Sequence, residues 1–174
     1  QHLAAMRVLH DYSDPALGFE QYFTVSLWRT QYLAYYLVTD LLAYPFGVQI
    51  ANRIVLSAAL VGMPYATRAL MRALGRDERL AVAVLPLTWN AHLILGFLNF
   101  VAAIPLAVWG LALAARLRQG WTRARAILLA VVAVVTFYTH VVPFGFLGLG
   151  AALLLWGDGW KPTLKRWLLL GPAA

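Results

Sequence analysis

The chain has 174 residues, is 62% hydrophobic and only 12% charged, and carries a formal net charge of +7. A soluble domain typically holds about 25% charged residues, so the composition argues against a soluble globule and for an all-α, polytopic membrane helix bundle. Cysteine is absent, which excludes disulfides, thiolate metal sites and cysteine nucleophiles.

Residues 1–47 read as an extracytoplasmic loop with amphipathic, interfacial helices. Leu3, Met6, Arg7, Leu9 and His10 fit a short amphipathic helix, and Ser13 to Gly18 (SDPALG) reads as a turn or a new helix start, with Asp14 capping and Pro15 first in the helix. Phe19, Tyr22, Phe23, Trp28 and Tyr32 supply the aromatic density of a membrane–water interface. The apolar stretch 31–46 contains Asp40 and four tyrosines and closes on Pro45 and Gly47. At about 16 residues it falls just short of the usual span. It is expected to lie along the membrane surface, with a true span as the alternative.

Residues 48–157 read as a transmembrane bundle of about five spans, at 48–74, 80–96, 99–117, 124–140 and 143–157. Gly75 is the expected stop of the first, and Pro64, Pro86 and Pro105 are expected kinks. In the last, Gly145, Gly148, Gly150, Ala151 and Ala152 are small enough to let neighbouring backbones approach. The stretch 80–117 is too long for one crossing, at roughly 57 Å against a core of about 30 Å, so it is expected to form a hairpin turning near residues 96–99. Residues 158–174 read as a further loop and the start of another helix, and the chain as a piece of a longer protein missing helices on both sides.

Eleven of the 14 basic residues fall in three short segments: Arg68, Arg72, Arg76 and Arg79; Arg116, Arg118, Arg123 and Arg125; Lys161, Lys165 and Arg166. Short basic loops stay cytoplasmic during insertion. Segments 68–79, 116–125 and 161–166 are therefore all expected inside a bacterial-type inner or plasma membrane. The same placement explains the net charge without nucleic acid.

That topology gathers the remaining polar residues on the outer side. Asp11 and Asp14 are the candidate catalytic carboxylates, which with His10 would hold a divalent cation or supply a general base. His10, Arg53, Asn90, His92, Asn99 and His140 are the candidate substrate-binding residues. Arg53 would pair with Asp40 or bind a lipid phosphate; His92 and His140 would contact substrate or be satisfied by backbone groups; Asn90 and Asn99 would meet substrate or close the hairpin. A three-histidine zinc site lacks the usual ligand spacing, and no phosphate-loop or nucleophile-elbow motif is present.

The layout resembles the GT-C class of polytopic membrane glycosyltransferases. The resemblance rests on HDYSDPALGFEQYF leading to TQYLAYYLVTDLLAYPFG, then on LTWNAHLILGFLNF and FYTHVVPFG. It implies an outward-facing site, a polyprenyl-phosphate-linked sugar donor, a carboxylate in the first outer loop, where Asp11 and Asp14 fall, and often a divalent metal. A transporter or flippase-like module and a non-catalytic membrane scaffold are the alternatives.

Overall fold

The computed structural model describes residues 2–27, 30 and 32–156, and all regular structure among them is helical. Eight α-helices follow in chain order: α1 (His2–His10), α2 (Leu33–Phe46), α3 (Val48–Ala73), α4 (Leu85–Thr88), α5 (Ala91–Ile94), α6 (Leu98–Gln119), α7 (Arg123–Thr139) and α8 (Val141–Leu154). Tight 3-10 turns occupy Phe19–Gln21 and Glu78–Val84.

The helix ends follow local chemistry. Gly47 takes a positive φ of 76° and turns α2 into α3. At the far end of α3, Gly75 has a φ of 65°; its amide donates to the Arg72 carbonyl and that of Arg76 to Met71. This paired arrangement satisfies carbonyls that the helix end leaves open. Asn90, Thr122 and His140 cap α5, α7 and α8, each accepting a backbone N–H with its side chain.

Helices α3 and α6 form the axis of the bundle and run in the same direction. Ala51 and Ala59 share a cluster with Ala102, Ala73 shares one with Ala112 and Ala115, and the Gln119 amide donates to the Ala73 carbonyl. The chain between them must therefore travel back along the bundle. It does so through the Glu78–Val84 turn, α4 and α5. Helix α7 is antiparallel to α6: Arg125 donates to the Arg116 carbonyl at one end, while Phe100 meets His140 at the other. Helix α8 follows α6 again, with Leu147 against Gly110 and Leu111 against Gly150.

Two ends result. At one lie Arg68, Arg72, Arg76, Arg79, Arg116, Arg118, Arg123 and Arg125, brought together by the Gln119–Ala73 and Arg125–Arg116 contacts. At the other lie α1, α2, α5 and all four histidines, tied by the contacts described below. Helix α2 lies across this end. Tyr32, just before it, meets His140 atop α7, and its last residue joins the top of α3 through Gly47. The third basic segment, 161–166, and residues 158–174 lie outside the described residues.

Several expectations change. Among the described residues, two helices, α3 and α6, are long and apolar enough to cross a membrane, not about five. The stretch 80–96 crosses the bundle as expected but not as one helix: Pro86 opens α4, Asn90 caps a restart, and Gly96 has a φ of 82°. Each interrupts regular α hydrogen bonding. Residues 143–157 give the 14-residue α8, about 21 Å long and short of a bilayer core. Of the two readings of Ser13 to Gly18, the structure has the turn and not the helix start. Gly145 and Gly148 have open space beside them, so within α8 the close packing is made by Gly150 and the buried Ala151.

Candidate functional site

The histidine end is built from contacts between elements far apart in sequence. His10 Nδ1 donates to Asp40 Oδ1 at 2.8 Å, and the Tyr44 ring meets His10 edge-on at 4.9 Å. A carboxylate accepts, so the hydrogen-bonding proton sits on Nδ1 and Nε2 points away from this contact. Eight residues earlier, His2 Nδ1 lies 2.6 Å from the Tyr36 hydroxyl and the ring also bonds the Gly96 backbone, while burial holds its pKa below the usual value. Helix α1 is thereby tied to both α2 and the α5–α6 turn. Below it the Tyr35 hydroxyl donates to Asn52 Oδ1 at 2.8 Å in a buried contact.

A second group sits around Phe100. His92 stacks on it at 4.6 Å, His140 meets it edge-on at 5.2 Å, and Tyr32 meets the other side of His140 at 5.1 Å. His140 Nδ1 accepts the Val142 N–H at 3.2 Å, which places the neutral ring's proton on Nε2. Burial lowers the His140 pKa, because a charged ring sheltered from water loses hydration.

The sequence-predicted residues divide accordingly. His92 and His140 come together through Phe100. His10 stands apart with Asp40, which takes the place beside Asp40 that Arg53 was expected to hold. Arg53 is exposed, on the face of α3 opposite the one that packs on α6. Asp11 is engaged by Arg7, one helical turn before it. Asp14 is exposed and accepts the Ala16 N–H at 2.9 Å, a turn-forming contact. Asn90 uses both ends of its amide locally, accepting from Leu93 N–H and donating to the Leu87 carbonyl. Asn99 is 4% exposed and its Oδ1 has no hydrogen-bond partner among the described residues.

No group of three metal-ligating side chains converges among the described residues. His10, Asp11 and Asp14 have separate partners, so they do not form a cation site. His2, Tyr36 and the Tyr35–Asn52 pair were not legible as site residues, because their significance comes from how α1 and α2 dock. Only the placement of tyrosines along 31–46 hinted at it.

What the fold defines is an all-helical bundle with two helices suited to crossing a membrane and a polar cap at one end. Compared with known proteins, the chain matches no family model, no curated protein and no solved structure.

Proposed function

We propose that this chain is a membrane-embedded helical bundle, inserted in a bacterial-type plasma membrane with the arginine end cytoplasmic and the histidine end outside. The observation that carries it is α3. It is about 39 Å long, its most apolar stretch has a mean hydropathy of 1.4, and only 6% of that stretch is buried. Ile50, Ile54 and Val61 are left bare on its surface. In water such a helix would expose an apolar face far larger than soluble proteins tolerate, whereas in hydrocarbon it is at home. The eight arginines at one end support the orientation.

The cysteine-free sequence makes the test direct. The protein is expected to stay with membranes through alkaline carbonate extraction. A single Ser13→Cys should react with an impermeant maleimide in intact cells, and Arg118→Cys only after permeabilisation. Release into the carbonate supernatant, or labelling in the reverse order, would overturn the proposal.

A second reading, sugar transfer from a polyprenyl-phosphate donor, is favoured by the His10–Asp40 pair. A carboxylate that orients a histidine and leaves Nε2 free is suited to taking a proton from an acceptor hydroxyl. Asp40→Asn and His10→Gln should then each cut transfer by about 10²–10⁴-fold. Equal transfer by the variants, or none by the parent chain, removes this reading and leaves the membrane assignment intact. Transport of a polar solute has less support: an apolar cleft of about 600 Å³ between α2, α3, α6 and α7 has no charged residue in its walls.

A further inference from the structure

We infer that the cleft between α3 and the crossing segment at the arginine end binds an anionic phospholipid, with Arg76 and Arg79 on its phosphate. The inference rests on the membrane reading above but concerns a site remote from the histidine end.

The chain turns sharply at Gly75, and Asp77 then caps the next turn by accepting the Arg79 N–H at 2.9 Å. This turn sends Glu78 back toward α3. There it accepts from Arg68 Nε at 2.7 Å and from Arg72 Nε and Nη2 at 2.6 and 2.7 Å. The hydrogen bonds from Arg72, then the one from Arg68, hold the Glu78 carboxyl down at about 2. Its negative charge is fully committed at neutral pH. Arg76 and Arg79 are exposed and have no acidic partner among the described residues. Four arginines thus stand against two acids, and two guanidinium forks are left open. A planar fork with two parallel N–H donors matches a phosphate oxygen pair.

The cleft has a volume of about 760 Å³ and is two-sided in character. Arg68, Arg76 and Arg79, together with Asp77 and Glu78, line its polar part, while Pro64, Tyr65, Ala81, Val82 and Leu85 line the rest. Tyr65 is 60% exposed and Val82 64%, so the apolar wall is uncovered by the protein. A free phosphate would satisfy the arginines and leave that wall bare. A phospholipid covers both, its phosphate at the bundle end and an acyl chain along α3. The charge selects an anionic lipid over a zwitterionic one, as expected for basic residues at a cytoplasmic leaflet.

The test is native mass spectrometry of the full chain released from nanodiscs of phosphatidylcholine alone or with phosphatidylglycerol. One phosphatidylglycerol should remain bound. Arg76→Gln with Arg79→Gln should reduce that occupancy about tenfold, whereas Arg118→Gln with Arg123→Gln, the same charge change on the neighbouring loop, should leave it intact. Arg76→Lys with Arg79→Lys should give an intermediate value, since charge is kept and the fork lost. Unchanged helical circular dichroism would show that the variants fold. Equal retention of phosphatidylcholine, equal loss in both double variants, or complete displacement by millimolar inorganic phosphate would each overturn the inference. Failure of the membrane reading is distinguishable, because it appears as carbonate release regardless of lipid.

Discussion

At the scale of single residues, His140 joins two roles that oppose each other at low pH. Its Nδ1 lone pair caps α8 by accepting from Val142, and protonation would convert that acceptor to a donor. Burial already lowers its pKa, so the folded chain binds this proton less readily than the unfolded one. Stability from this group is fully present above the unfolded value of about 6.5 and is lost as pH falls below it. Melting followed by circular dichroism should therefore fall between about pH 7 and 5. His140→Asn keeps a capping oxygen without titrating, and should flatten most of that slope while preserving the melting point at pH 7. His140→Ala should cost about 1 kcal/mol at pH 7 and less at pH 5, where the parent chain has already lost the cap. His2, also lowered by burial, accounts for the slope that remains. An unaltered slope in His140→Asn would remove His140 from this role.

Among the elements, α8 shows how identical residues acquire different meanings. Gly150 abuts Leu111, whereas Gly145 and Gly148 face open space. The complementary close contact on α6 is Gly110, where an added Cβ would lie 2.6 Å from Leu147 Cδ1. Leu147 is itself 1% exposed and has little room to move. Gly110→Ala should destabilise the bundle by about 1–3 kcal/mol through overpacking, despite the gain in helix propensity. Gly148→Ala should be neutral or stabilising by up to about 1 kcal/mol. Chemical denaturation in one detergent compares the two, and equal effects would show that the α6–α8 seam is looser than its geometry implies. The crossing segment gives the complementary lesson: Pro86, Asn90 and Gly96 were visible in the sequence as kinks and closures, yet together they replaced a helix by short turns.

For the whole molecule, the sequence by itself determined the all-helical class, the starts and stops of α3 and α6 to within a residue or two, and the separation of arginines from histidines. These follow from composition, apolar run length and local punctuation such as Gly75, which acts through neighbouring backbone. The tertiary structure alone decided which polar groups meet. Sequence proximity suggested His10 with Asp11 and Asp14, and shared depth suggested Asp40 with Arg53. Docking of α1 on α2 instead gave His10 to Asp40 and His2 to Tyr36, and docking of α6 beside α7 placed Phe100 between His92 and His140. Helical period fixes a side chain's face but not the partner that face will find. That choice depends on crossing geometry and side-chain packing between separate elements, and no local pattern encodes it.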